Sequence, residues 1–138
     1  MTDPALTVAR VLADDLREWL MASLRYPVLS VLAEDGSPSQ SVMWFDMDPE
    51  DPDTILMNTK RGRAKDRWLR RDPRVSLCFE DGYRWAALKG RVTLDDDSTR
   101  GMELIRSLAV RYGEDPARYE GQERVTIRLH VEKVVRHD

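Results

Sequence analysis

Across residues 5–24 the apolar positions Leu12, Leu16, Trp19, Leu20 and Leu24 recur at steps of three and four, which puts them on one face of an amphipathic helix. Pro27 closes that stretch, because a proline pushes the residue before it out of the helical basin. The pattern then changes to short apolar runs broken by turn residues. Residues 28–33 read as a strand, Glu34-Asp35-Gly36-Ser37 as a hairpin turn with Gly36 free to take positive φ, and residues 38–47 as a second strand. Pro49-Glu50-Asp51-Pro52-Asp53 is a polar turn before a third strand over 54–59. A short helix follows around 63–71, stopped by Asp72-Pro73, then a fourth strand over 75–79, the turn signal Asp81-Gly82 and a long fifth strand from 83 to about 94. Asp97-Ser98 can cap a helix whose face carries Met102, Ile105, Leu108, Ala109 and Tyr112. Finally Val125, Ile127, Leu129 and Val131 alternate strictly with Thr126, Arg128, His130 and Glu132, the mark of a half-buried strand.

Six strands joined mostly by short turns must pair mainly antiparallel. In one compact domain they predict a mainly β architecture, a closed or nearly closed barrel with flanking helices, since closure removes exposed edges. Trp44 and Phe45 are neighbours on the second strand, so one faces the core and one faces outward. Trp85 shares a face of the fifth strand with Tyr83 and Ala87. An outward aromatic row can line a subunit interface or a flat ring-shaped ligand, and it can equally be ordinary packing.

The length of 138 residues fits a single domain over 1–138 with a core large enough to need no disulfide or metal. A hydrophobic fraction of 41% excludes a wholly disordered chain. No run approaches the ~18–20 uninterrupted apolar residues of a membrane span. Asp14, Asp15, Arg17 and Glu18 interrupt the apolar N-terminal region, so no signal-peptide core is expected there. The single cysteine, Cys78, rules out a disulfide framework. The expectation is a soluble, cytoplasmic protein.

Charge sharpens this picture. The chain carries a net charge of −3, yet Lys60, Arg61, Arg63, Lys65, Arg67, Arg70, Arg71 and Arg74 crowd one segment against only Asp66 and Asp72. A dense basic segment in an acidic protein fits a local anion site better than a polyanion-binding surface. The segment also begins where a strand runs into a helix, and a helix N-terminus offers unpaired N–H groups and a positive dipole end. Thr59, Arg61, Gly62, Arg63 and Lys65 converge on that end and suit a phosphate monoester. The same residues also read as a solvated basic helix, and composition does not choose between the two.

Other chemistry finds little support. Neither GxGxxG nor GxxxxGK[ST] occurs, and a bare Arg-Gly-Arg is a weak signal for nucleic acid. His130 and His137 have no partner at metal spacing, and Cys78 lies in an apolar strand where cysteines are usually inert. Asp95-Asp96-Asp97 reads as a turn and helix cap, and residues 48–53 lack the EF-hand pattern. With no acid–base pair or triad, either the protein is not an enzyme or a cofactor supplies the reactivity.

Several stretches together resemble one family: residues 27–33, Ser41-Val42-Met43-Trp44-Phe45-Asp46, Ile55-Leu56-Met57-Asn58-Thr59, Arg61-Gly62-Arg63-Ala64-Lys65, residues 68–75 and Gly90-Arg91-Val92. In that order and spacing, from about 27 to 135, they resemble the pyridoxamine 5′-phosphate oxidase-like split β-barrel proteins, and most closely the short actinobacterial subgroup that uses the deazaflavin coenzyme F420. The resemblance implies a homodimer with two cofactors in grooves at the subunit interface. Thr59, Arg61 and Lys65 would hold the cofactor phosphate beside Asn58, where relatives usually have Ser or Thr. Ser41, Val42, Met43 and Trp44 would run along the ring system, Leu56 and Met57 would lie near it, and Trp85 from the other subunit would help close the site. Pyridoxamine phosphate oxidases themselves carry a longer C-terminal segment, so vitamin B6 oxidation is not the expected activity.

The resulting expectation is an F420-dependent reductase moving a hydride to a small conjugated acceptor, with FMN as the alternative cofactor. Such a step needs proximity, stacking and water exclusion more than a protein acid or base. A non-catalytic cofactor-binding or carrier protein on the same barrel is the other class. Nucleic-acid binding through residues 60–74 is not expected, given the acidic net charge.

Overall fold

A computed structural model of the chain describes residues 10–138. Seven strands form one antiparallel sheet: β1 (Val28–Leu32), β2 (Pro38–Val42), β3 (Asp46–Met47), β4 (Thr54–Lys60), β5 (Arg74–Asp81), β6 (Arg84–Asp95) and β7 (Arg124–His137), in the order β2-β1-β5-β6-β7-β4-β3. The order itself dictates the shape. β2 and β3 occupy opposite edges of the sheet yet are joined by residues 43–45 alone. Four Cα steps reach at most about 14 Å, whereas six strand spacings in a flat sheet would separate the edges by about 29 Å. The sheet must therefore curl until its edges nearly meet, which is the split barrel that the hairpin pattern predicts.

The same fact corrects the strand count from six to seven. The single strand expected over 38–47 breaks at Met43-Trp44-Phe45, because these residues leave one edge and cross to the other. Met43 still donates its N–H to the Pro27 carbonyl at 2.8 Å before the crossing. Phe45 is fully buried there, edge-on to Phe79 with centroids 4.8 Å apart. Around this pair Leu29, Ile55, Met57, Leu77, Leu88, Ile127 and Leu129 fill the barrel.

Three helices flank it: α1 (Asp14–Met21), α2 (Ala64–Arg71) and α3 (Ser98–Arg111). α1 is shorter than the stretch 5–24 that the periodicity predicts, and residues 5–9 of that stretch lie outside the described residues. Leu16, Trp19 and Leu20 are buried as expected, but Leu12 is buried ahead of the helix, its N–H bound at 2.9 Å by the Asp53 carboxylate. Leu24 is exposed beyond the helix end. The Arg25 guanidinium donates to the Trp19 carbonyl at 2.8 Å, satisfying one of the last-turn acceptors that a longer helix would have used.

α3 starts as expected, with the Asp97 carboxylate accepting from the Arg100 N–H, and it buries Ile105, Leu108, Ala109 and Tyr112. It lies over the polar face of β7, so the first part of that strand is buried on both faces rather than half-buried. Arg124 and Thr126 are 6% and 3% exposed. Contact is close enough to require glycine: a Cβ on Gly101 would stand 2.0 Å from the Arg124 carbonyl oxygen.

Candidate functional site

β4 carries Asn58 and Thr59 to one end of the barrel, and the chain then turns sharply into α2. Gly62 makes the turn with φ +84°, a conformation that side chains with a Cβ rarely adopt. Its N–H is taken at 2.8 Å by the buried Asp66 carboxylate, which also holds Arg70 at 2.9 Å. Part of the donor potential at the start of α2 is therefore met from within the helix itself.

Beside this turn lies a cavity of about 390 Å³, bounded by the 43–45 crossing, the start of α2, α3 and the 3-10 turn Pro116–Tyr119. Among the described residues its walls include Arg63, Lys65, Arg118 and Arg124 and no aspartate or glutamate. Arg118 is partnered outside the cavity by Glu114 at 2.9 Å. The other three make no ion pair among the described residues. The Lys65 ammonium ends 3.1 Å from the thioether of Met43. Burial pushes the Lys65 pKa down, and the nearby Arg63 and Arg124 push it further. Arg124 donates to the amide oxygens of Asn58 at 2.8 Å and Gln122 at 3.1 Å.

Most of the rest of the basic segment is occupied elsewhere, Lys60 being exposed at the end of β4. Arg61 is held by Asp96 and Glu123, Arg70 by Asp66 and Asp96, and Arg74 by Asp72. Arg67 donates to the Gly62 carbonyl, and Arg71 to those of Ala33 and Glu34. Both readings of the segment thus hold for part of it: most of it braces the surface, while Arg63 and Lys65 face a cavity whose positive charge is uncompensated.

The cavity also has an aromatic wall. Trp44 stacks on Tyr112 with centroids 5.2 Å apart and planes 8° from parallel, and meets Tyr119 edge-on at 6.4 Å. Tyr112 is pinned in turn, donating its hydroxyl to the Arg25 carbonyl at 2.7 Å and accepting from the Phe45 N–H at 3.3 Å. Burial raises its phenolic pKa, so this support stays neutral. The indole orientation is set before any ligand arrives.

Of the residues singled out from the sequence, the structure brings Val42, Met43, Trp44, Asn58, Thr59, Arg63 and Lys65 together around this cavity. Gly62 shapes the adjoining turn, and Ser41 contacts Met43 from behind, Oγ to Sδ 3.7 Å. Arg61 is not among the lining residues. Leu56 faces a different depression, shared with Asp48 and Arg128, and Met57 is fully buried in the barrel. Trp85 lies at the far end of β6, stacked on His137 at 6.4 Å. Arg124, Tyr119 and Gln122 join the site without any prior signal. Arg124 comes closest to one, since it stands opposite Lys60 at the start of a strand.

Among the described residues no group of His, Cys, Asp or Glu is placed to hold a metal ion, and no helix is long and apolar enough to cross a membrane. His130 sits between the hydroxyls of Thr54 and Thr93, at 3.3 and 2.8 Å.

Comparison with known proteins bears on the family and the fold. The family model described as pyridoxamine 5′-phosphate oxidase matches residues 12–138. A conserved hypothetical protein of Mycobacterium tuberculosis superposes with a TM-score of 0.77 at 23% identity, over 94% of this chain and 86% of that one. A structure named as an F420 reductase gives 0.71 at 24% identity, over 86% and 94%. A putative pyridoxamine 5′-phosphate oxidase of Listeria innocua gives 0.64 at 18% identity, over 88% and 97%. At these identities the solved structures speak for the fold.

Proposed function

This chain belongs to the pyridoxamine 5′-phosphate oxidase family, and from that premise we propose that it is an oxidoreductase that binds a phosphate-bearing flavin or deazaflavin in the cavity beside α2. The observation that carries the proposal is the uncompensated charge: Arg63, Lys65 and Arg124 face one cavity that no carboxylate lines. Arg63 is exposed, but Lys65 is half-buried and Arg124 buried; such cations without counter-ions destabilise a free protein, and a bound anion relieves that. The adjoining indole of Trp44, held flat by Tyr112, is suited to the edge or face of a ring system.

In this reading Lys65, Arg63 and Arg124 hold the phosphate with Thr59, while Val42, Met43 and Trp44 lie along the ring. The bound group supplies the hydride chemistry. The chain's own contribution is to bind, orient and exclude water, in keeping with the lack of an acid–base pair. We favour F420 over FMN because the sequence resembles the F420-using subgroup, with a small conjugated molecule as acceptor. Both cofactors carry a phosphate and a tricyclic ring, so FMN is the second reading. A homodimer, with Trp85 of the partner subunit closing each site, and a cytoplasmic location complete the proposal.

Titration of the purified protein with F420 and with FMN, followed by fluorescence and stoichiometry, tests it. One tight F420 per chain with weak FMN binding is the expected result. FMN preference moves the protein to the flavin branch, and failure to bind either overturns the proposal. Turnover of an acceptor with reduced cofactor then separates an enzyme from a carrier.

A further inference from the structure

Arg124 differs from the other arginines near it in how it is held. Arg61, Arg70 and Arg74 all end on carboxylates. Arg124, only 6% exposed, ends on two neutral carboxamides: Nε donates to Asn58 Oδ1 at 2.8 Å and Nη1 to Gln122 Oε1 at 3.1 Å. Its guanidinium also lies 5.3 Å from the centroid of the Tyr119 ring. A carboxamide fixes the geometry of a guanidinium through a hydrogen bond and leaves its charge intact, whereas a carboxylate would cancel it.

Asn58 is itself locked. Its Nδ2 donates to the Gly101 carbonyl at 2.9 Å, and Gly101 is the residue whose missing Cβ lets α3 rest on the Arg124 backbone. Three elements, β4, α3 and β7, therefore meet at this one side chain. The oxygen and the nitrogen of the Asn58 carboxamide are both engaged in this clamp, so its hold on Arg124 is in place without a ligand.

We propose that Asn58 is a positioning residue that holds Arg124 in the cavity with its charge uncancelled, and that Arg124 thereby makes the site selective for a ring ligand bearing a phosphate over the same ring without one. The proposal rests on the reading of the cavity as a phosphate-bearing cofactor site.

The test compares FMN with riboflavin, which differ in the phosphate alone, and F420 with its deazaflavin chromophore, which lacks both the phosphate and the acidic tail attached through it. Each is titrated by fluorescence into the full chain, the variants Asn58→Asp and Gln122→Glu, and Arg124→Lys. Each acidic variant keeps an oxygen acceptor for Arg124 and adds the charge that cancels it. Gln122 is partly exposed, so Gln122→Glu reports even where Asn58→Asp disturbs folding. In the unaltered chain the phosphorylated member of at least one pair is expected to bind about tenfold to a hundredfold more tightly, the range for a hydrogen bond to a charged group. Both acidic variants should shrink that ratio by about tenfold with phosphate-free affinity nearly unchanged, and Arg124→Lys should retain part of it. A merely structural role would weaken both members of a pair alike. Should the unaltered chain show the ratio while the acidic variants keep it in full, the positioning role is overturned and the phosphate reading stands. Should the unaltered chain prefer neither phosphorylated ligand, the reading of the cavity falls and this inference with it.

Discussion

Arg61 donates to Asp96 twice, to the carboxylate at 2.7 Å and to the backbone carbonyl at 3.0 Å, tying the turn after β4 to the end of β6. Glu123 holds the same guanidinium at 3.0 Å. A side chain so engaged is a brace rather than an anion ligand, although its neighbours Arg63 and Lys65 line the cavity. Arg61→Ala is therefore expected to lower the melting temperature while changing cofactor affinity less than about threefold, within the scatter of a surface substitution. Calorimetric melting and a cofactor titration on the same preparation check this. A tenfold loss of affinity with unchanged melting would place Arg61 at the ligand instead.

Lys65→Ala should do the reverse. Among the described residues the ammonium has no carboxylate partner, and its one hydrogen-bond partner is the Met43 thioether. Removing it deletes a charged hydrogen bond to the ligand, worth about 1.5–3 kcal/mol, and so weakens binding roughly tenfold to a hundredfold. Melting of the free protein should hold or rise, since a half-buried unpaired charge is lost. Titration calorimetry and a thermal melt decide the point.

Binding should also depend on pH through this lysine. Burial first, then Arg63 and Arg124, holds its pKa below the ordinary 10.5. In the free protein the protonated form is disfavoured, so stability rises as pH rises through the lowered value. A bound anion favours the protonated form, so affinity runs the opposite way and falls over the same window. A phosphate monoester is already a dianion above about pH 7 and a phosphodiester keeps one fixed charge, so the phosphate itself does not titrate over this range. The comparison with a non-titrating cation at position 65 therefore isolates the lysine. Affinity measured from pH 7 to 10 should fall for the unaltered chain and stay flatter for Lys65→Arg, whose charge does not titrate there.

Much of this was legible along the chain, and the exceptions share a cause. The α2 turn, the cap at Asp97 and the antiparallel hairpins rest on neighbours a few residues apart, so the residue pattern shows them. The break at 43–45 follows from closure of the whole sheet, which no local window contains. Thr126 reads as the polar side of a strand, and Arg124 gives no signal, because α3, which covers both, packs there only through tertiary contact at Gly101. Arg61 reads as a free cation because its partner Asp96 is 35 residues away. Site residues on one short segment were therefore visible as a group, whereas those contributed by β7 and the 3-10 turn were not.

The acid limb of stability should carry the mark of Asp95. Its carboxylate takes hydrogen bonds from Arg100 first, then the Asp97 N–H, with Arg128 near, and these hold its pKa at about 2 against an ordinary 3.8. A carboxyl with a depressed folded pKa stabilises above its unfolded value, and that contribution is lost as pH falls through the folded one. Asp72, paired with Arg74, is likewise held at about 2. Asp95→Asn should melt lower than the unaltered chain at pH 7, and the gap should close between about pH 4 and pH 2. Melting curves across pH 2–7 show whether the two converge.

The last prediction concerns association. Trp85 and Val135 remain 36% and 37% exposed. The β6–β7 register pairs Trp85 with His137 and Ala87 with Val135, so these four side chains share one face at the end of this strand pair. Alternation along both strands keeps them together on the outer side, where an aromatic and aliphatic patch is a usual interface core. If the chain forms the proposed dimer through this face, Val135→Asp buries an unpaired charge at its centre and should raise the dimer dissociation constant at least about tenfold. The isolated fold should be little affected, because Val135 is exposed and lies outside the hydrophobic core. Sedimentation velocity across a concentration series measures the shift. Cofactor titration of the same variant then asks whether the site needs both subunits: binding lost together with the dimer supports a partner contribution at Trp85, and full binding to monomer assigns the cavity to one chain alone.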